Sequence, residues 1–272
     1  MPFFVFAIMF LLLPLTFLVI GSFKNVAGEV TLQNYADLSR PDIASAFWVT
    51  IEISLVTALL GGLFGFLLGY ALVLGGLPSA VRSGSTTFAG VASNFAGVPL
   101  ALAFIFTLGQ LGLVTVFLKD NFGFDPYKHG FSIYNKIGLE IVYLYFQLPL
   151  MVLIMAPAIE GLRQEWLEAA QNLGATSRQY WRHVALPVLM PTLLATMVLL
   201  FGNAFGAYAT AYQLTGGTIN IVGVRIGAQI SGDVLHNEGL GYAMAVGMVV
   251  VMGIAITIYV ILQRRAERWK RA

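Results

Sequence analysis

Few side chains in this chain could do chemistry, and their spacing limits what that chemistry is. There is no cysteine, which excludes disulfides, thiolate metal sites, iron–sulfur clusters and thiol nucleophiles. His129, His183 and His236 lie too far apart in sequence to suggest a metal-binding pair. No lysine follows a glycine, so the phosphate-cradling Walker loop is absent from the sequence, and with it an ATP site of that type. What is left is a set of polar groups in apolar surroundings: Glu52, Gln110, Gln147, Asn203, Tyr208, Thr210, Tyr212 and Gln213. Such groups line solute pathways more readily than they break bonds. Glu52 and Glu140 could favour a cationic solute, or could sit hydrated or paired with Lys119 or Lys136. Asn203, Tyr208 and Tyr212 are the uncharged pathway candidates.

The elements that must hold these residues follow from composition. The chain has 272 residues, 58% of them hydrophobic and 10% charged, with a mean hydropathy of +0.82. An ordinary soluble domain carries roughly 25% charged residues. Uncharged runs cover 1–23, 53–81, 83–118, 141–159, 183–224 and 239–263. A helix needs about 20 apolar residues to cross a bilayer. All six runs reach or approach that length, so the chain reads as an all-α polytopic membrane protein with six transmembrane helices. The spans are expected near 2–20, 46–74, 89–118, 137–159, 188–213 and 240–263. The first could be taken for a signal peptide, but it lacks a basic n-region and a clean small-x-small cleavage site.

Net charge is only +2, too small to argue for a nucleic-acid partner. The cations instead report topology. With the N-terminus inside, the inner segments hold Arg82, Arg163, Arg178, Arg182, Arg264, Arg265, Arg268, Lys270 and Arg271. The outer segments hold Lys24, Arg40, Lys119, Lys128, Lys136 and Arg225. Five cations directly after the last span favour both termini in the cytoplasm. The 160–187 loop is then cytoplasmic as well.

Within that loop, Leu162, Trp166, Ala169 and Leu173 recur at helical spacing, with Gln164, Glu165, Glu168, Gln171 and Asn172 on other faces. The pattern predicts an amphipathic helix of about three turns. Gly174 stands where a C-terminal cap needs a left-handed residue. Thr176-x-x-Gln179 has the form of a capping box and restarts a helix through Tyr180, Trp181 and Val184. Leu186-Pro187 is expected to end it, with Pro187 in the first turn of the next span.

The order Glu168-Ala169-Ala170, three residues, Gly174, nine residues, then Val184-x-Leu186-Pro187 resembles the EAA motif of ABC importer permeases. The resemblance covers much of the chain, since 46–74 also looks like the opening span of the binding-protein-dependent permease domain. It implies a MetI-like type I ABC importer permease. Its domains would be 1–45 (first helix and outer loop), 46–263 (permease domain with coupling loop 160–187) and 264–272 (basic cytoplasmic tail). Two such subunits, homologous or identical, would form the pathway in a bacterial inner membrane. An extracytoplasmic solute-binding protein would deliver the solute, and two ATPase subunits would carry ATP and Mg. This chain itself would bind no cofactor and catalyse nothing. Glu168, Ala169, Ala170, Gly174, Leu186, Pro187 and Trp166 would couple to the ATPase. ATP-driven closure of the ATPase pair would move the coupling helices and bias the spans between inward-open and outward-open states.

The outer loop 214–239 runs from Ile226-Gly227-Ala228-Gln229-Ile230 to Asn237-Glu238-Gly239. It looks like permeases for spermidine/putrescine and for thiamine, ferric iron or aminoethylphosphonate. An ion-coupled secondary transporter is the alternative, but inverted repeats, paired broken helices and mid-span charges are not apparent. A membrane enzyme has no cluster of nucleophile, base or metal ligands to support it.

In the spans, Gly61, Gly65 and Gly69 recur every four residues, and Gly202 and Gly206 do so later. Such ridges bring helices close together. Pro149 and Pro157 predict kinks in the fourth span.

Overall fold

The structure, a computed structural model, describes residues 2–231 and 236–268. Residues 269–272 of the basic tail, and Asp233 of the outer loop, lie outside the described residues. The helices are α1 (Pro2–Ala7), α2 (Leu13–Ser22), α3 (Gln33–Asp37), α4 (Pro41–Leu74), α5 (Ser79–Asn94), α6 (Gly97–Leu108) and α7 (Leu113–Phe122). They continue with α8 (Lys136–Glu160), α9 (Gln164–Asn172), α10 (Ser177–Tyr180), α11 (Leu186–Phe205), α12 (Tyr208–Thr215), α13 (Val222–Ser231) and α14 (Glu238–Arg268). Among the described residues, six segments are long and apolar enough to cross a membrane: Phe4–Ser22, Pro41–Leu74, Gly97–Phe122, Lys136–Glu160, Ser177–Phe205 and Glu238–Arg264. Among the described residues the only extended pairing is an isolated bridge between Lys24 and Val30.

Two compact units divide the chain, residues 1–52 with 217–255 and residues 53–216 with 256–272. In the first, Ile43, Ala46, Val222, Leu240 and Met244 form a buried cluster. Buried Asn34 ties the connection after α2 by donating to the Ser22 and Lys24 carbonyls at 2.9 and 2.8 Å. Asp42, Asn220 and Arg225 link α4 to α13: Asn220 donates to the Asp42 carbonyl at 2.8 Å, and Arg225 donates to the Asn220 amide oxygen at 2.7 Å. The α1–α2 segment exposes large side chains such as Phe4, Phe10, Leu13 and Phe17, as an apolar helix facing lipid does.

The second unit is built around α8. Asn135 caps it by accepting from Gly138 N at 2.9 Å, and its Leu139, Val142, Phe146, Gln147, Met151, Met155 and Ile159 are buried. Pro149 and Pro157 lie inside the helix as expected. The glycine ridge of α4 lies on α8. A Cβ added at Gly61 would stand 2.9 Å from the Gln147 Cβ, and one at Gly65 would stand 2.5 Å from the Met151 Cβ.

Two expected spans differ from the structure. The third was read as 89–118, but residues 79–94 form a separate helix packed on α8, and the span begins at Gly97. Ala96 is extended and Gly97 takes φ +74°, a conformation that no ordinary residue adopts cheaply, so the helix cannot run through. The long uncharged run hid this break because a break needs no charge.

The fifth span was read as 188–213, but α11 stops at Phe205 and a turn at 206–207 precedes α12. Interrupted helices, not apparent in the sequence, are therefore present. Their exposed backbone groups need partners in an apolar medium. Gly97 N donates to Thr210 Oγ1 at 2.8 Å, Thr210 Oγ1 lies 3.2 Å from Gly97 O, and the Tyr143 hydroxyl donates to Ala207 O at 2.6 Å.

Candidate functional site

Residues 160–187 fold as helix, reversal, helix. The first helix, α9, has nine residues and starts two residues after Leu162. It ends as Gly174 turns left-handed at φ +76°, with Gly174 N donating to Gln171 O and Ala175 N to Ala170 O, both at 2.9 Å. Thr176 and Gln179 then form a reciprocal capping box. Gln179 N donates to Thr176 Oγ1 at 3.3 Å, and Thr176 N donates to Gln179 Oε1 at 2.7 Å. Beyond it the expected stop at Leu186-Pro187 is absent. Trp181–Ala185 winds as a π turn that runs directly into α11, with Pro187 in its first turn. Pro187 has no N–H to donate, and the wider π register accommodates that loss without ending the helix.

The apolar residues of α9 do not share one face. Leu162, Leu167 and Ala170 are half-buried, whereas Trp166, Ala169 and Leu173 point outward with Glu165 and Glu168. Leu173 is 88% exposed and Trp166 36%. The single apolar face expected from Leu162, Trp166, Ala169, Ala170 and Leu173 is therefore divided, and Leu167 joins its inner part. A helix that starts at Gln164 leaves Leu162 before its first turn, and Leu167, three residues before Ala170, completes the inner stripe. Leu186 and Pro187 are half-buried at the start of α11.

Beneath α9 lies a cavity of about 560 Å³ between its inner face and the ends of α4, α5 and α8. Tyr70 and Leu74, Arg82, Glu160 and Trp181 line it on the membrane side. Arg82 and Glu160 form an ion pair between α5 and α8. Both are isolated charges flanking uncharged runs, the one signal that could have marked them in advance. Arg163 places its guanidinium carbon 5.8 Å from the centroid of the Trp166 ring.

The pathway candidates separate. Glu52 is half-buried on α4. Asn203 is exposed on α11, and Tyr208 and Tyr212 are exposed on α12, where their rings stack with centroids 5.5 Å apart. Gln147 is fully buried instead. Its Nε2 donates to Thr57 Oγ1 at 2.8 Å, and its Oε1 has no hydrogen-bond partner. Among the described residues no group of three or more His, Asp or Glu side chains is placed to hold a metal ion.

Comparison with known proteins matches this architecture. The chain is 28% identical over 215 residues to the sulfate transport system permease protein CysT of Salmonella typhimurium, covering 78% of this chain and 72% of the relative. It is 27% identical over 263 residues to the spermidine/putrescine transport system permease protein PotB of Haemophilus influenzae, covering 94% and 89%. Among solved structures, a bacterial ABC transporter that imports the acidic polysaccharide alginate matches with a TM-score of 0.73 at 18% identity, covering 97% of this chain and 93% of that one. The inward-facing methionine transporter MetNI matches with a TM-score of 0.56 at 17% identity, covering 84% and 99%. A family profile described as binding-protein-dependent transport system inner membrane component matches residues 1–271. This chain belongs to that family, and is a non-catalytic, multi-pass permease subunit of an ABC importer.

Proposed function

We propose that this subunit forms half of a solute pathway and couples it to a separate ATPase through α9 and the reversal at Gly174. The observation that carries this reading is the outward apolar stripe of α9. Trp166, Ala169 and the capping Leu173 are exposed on the side of a nine-residue helix opposite the half-buried Leu167 and Ala170. Exposed Trp and Leu on so short an element is the surface of a contact awaiting its partner. The partner is one of two ATPase subunits carrying ATP and Mg, and Glu168 on the same face offers a carboxylate to its cations. The EAA spacing across 168–187 supports this assignment. A second permease subunit and an external binding protein complete the assembly. Residues 46–263 form the permease domain, and 264–272 its basic tail.

Both termini and the 160–187 loop lie in the cytoplasm of a bacterial cell, supported by the cations after the last span. Because the native chain lacks cysteine, Leu173→Cys supplies a single label site. A membrane-impermeant maleimide should label it in inverted vesicles and not in spheroplasts. Labelling of intact spheroplasts overturns the orientation. Coupling is tested with Leu173→Asp in the assembled transporter, where uptake should fall to background while the subunit still folds. Wild-type uptake and ATPase stimulation by that variant would sink the reading.

The solute is small and charged, as the relatives named for sulfate and for spermidine/putrescine support. The stacked, exposed Tyr208–Tyr212 pair favours a cation of the polyamine or thiamine kind, because ring faces attract cations. Asn203 supplies a polar contact one helix earlier. Glu52 is a separate candidate whose argument is its charge alone. Thermal stabilisation of the cognate binding protein by spermidine or thiamine, and not by sulfate, ferric ion or aminoethylphosphonate, is the expected result. Stabilisation by sulfate alone would replace the cationic assignment.

A further inference from the structure

The cavity beneath α9 has a lining that neither transport nor ATPase docking accounts for. It is open to solvent and carries about as much polar as apolar surface. Its charged lining is Arg82 and Arg163 against Glu160, an excess of one positive charge. Since Arg82 is already engaged by Glu160, the excess resides at Arg163. Gln164 and Gln171 add amide donors, and Ser177 adds a hydroxyl. Gln164 is also the first residue of α9, whose N-terminus has no side-chain cap and so presents the positive end of the helix dipole. On the membrane side Val73, Leu74 and Ile159 supply apolar walls.

These walls sit where α4 and α8 end, at Leu74 and Glu160, which is the depth of the lipid head groups for two spanning helices. A basic pocket at that depth with an apolar side matches an anionic head group attached to an acyl chain. We infer that this cavity binds a singly charged phosphate group, held by Arg163 and the Gln164, Gln171 and Ser177 donors. Bound there, the phosphate braces the inner face of α9 against α8. The coupling helix is then held through an anion, which explains how a helix above a hollow of this size can transmit force.

The inference rests on residues 160–187 facing the cytoplasm. Its test is therefore read in the nucleotide-free assembled transporter, where neither ATPase coupling nor the sidedness of a cell enters. The transporter is reconstituted in nanodiscs of phosphatidylcholine with phosphatidylglycerol, and retained lipid is measured by native mass spectrometry. Wild type should retain phosphatidylglycerol over phosphatidylcholine, and Arg163→Gln should reduce that selectivity about tenfold, as loss of one charge-assisted contact does. Arg163→Lys should restore part of it. Glu160→Gln, which removes the competing carboxylate, should raise retention. Arg178→Gln, an exposed cation outside the lining, should behave as wild type.

A second arm titrates glycerophosphoglycerol, the singly charged phosphodiester head group without acyl chains, into delipidated transporter and reads the melting temperature. An Arg163-dependent rise in this arm without lipid selectivity supports the phosphate site and assigns its occupant to the cytosol. Equal retention of the two lipids together with no Arg163-dependent shift overturns the inference. So does selectivity that survives Arg163→Gln but is lost in Arg178→Gln. The maleimide labelling of Leu173→Cys reports separately on the orientation, so the two failures are distinguishable.

Discussion

The α4–α8 seam and the outer face of α9 solve opposite problems with opposite residues, glycines at one and large apolar side chains at the other. Along the seam, glycines on α4 let backbone meet side chain: a Cβ at Gly65 would stand 2.8 Å from the Leu148 carbonyl oxygen as well as 2.5 Å from Met151 Cβ. On the outer side of α9, Leu173 is 88% exposed, and Trp166, 36% exposed, has the Arg163 guanidinium over its ring. The seam is complete within the subunit, so substitutions there act on folding. With α9 docked on the ATPase as proposed, its outer face is completed only in the assembly, so substitutions there should act on transport and leave the fold alone. A residue's effect on stability and its effect on function are thus separated in space.

The largest effect should come from Gly65→Leu. The neighbouring backbone cannot move aside without separating the helices, and overpacking of this kind costs about 3 kcal/mol or more. Loss of the folded, detergent-stable subunit is expected, measured by monodispersity and melting temperature. Gly69 tests the comparison within the same ridge, because a Cβ there meets nothing closer than 3.8 Å. Gly69→Ala should be neutral, or stabilise by up to about 1 kcal/mol through helix propensity. Equal damage from both variants would show that the whole ridge, and not the contact at Gly65, sets the tolerance.

Next comes the exposed face. Trp166→Ala and Leu173→Asp should each lower coupled uptake at least about tenfold, the loss of an interface anchor, with a melting temperature equal to wild type. A matching fall in stability would place these side chains in the fold and erase the contrast. A smaller effect is expected at Gly174, where φ is +76° and an added Cβ meets nothing within 4 Å. Gly174→Ala should cost about 1 kcal/mol from backbone strain alone, and Gly174→Asn less, because Asn tolerates the left-handed region. Equal melting temperatures for the Ala and Asn variants would argue that the reversal relaxes.

The sequence made the spans legible where charge marks their ends, as at Lys136 and Glu160 around α8. It also made the Gly174 reversal and the Thr176–Gln179 capping box legible, because both are set by local chemistry. It concealed the breaks at 95–97 and 206–207. Those depend on distant partners, Thr210 for Gly97 and Tyr143 for Ala207, which no local pattern encodes. The division of α9 into two apolar stripes was hidden for a related reason. Periodicity locates apolar positions, but which stripe is covered depends on where the helix starts and what lies beneath it. The polar residues gathered as pathway candidates divide in the same way: Gln147 belongs to the seam, while Tyr208 and Tyr212 stay exposed.

The smallest effect is expected for Gln147→Leu, at the Gln147–Thr57 contact of the seam, and its sign is the informative part. Gln147 is buried with Nε2 bonded to Thr57 and Oε1 unpartnered, while Thr57 Oγ1 also donates to Ile53 O at 2.8 Å. Thr57→Val strips Gln147 of its acceptor and leaves the whole amide buried without partners, at a cost of about 1–3 kcal/mol. Gln147→Leu removes the orphaned oxygen and the amide together and leaves Thr57 bonded to its own helix. Its stability should equal or exceed wild type by up to about 1 kcal/mol, since replacing a half-satisfied buried polar group by an apolar one of similar shape removes its desolvation cost. The double variant should recover most of what Thr57→Val loses, because the amide it would strand is gone. Thermal melts of the three variants in one detergent decide the order. If Gln147→Leu proves the least stable, the contact stabilises the seam outright. If it is stable but transports poorly, the amide is retained for a second arrangement of α4 and α8 in which Oε1 finds its donor.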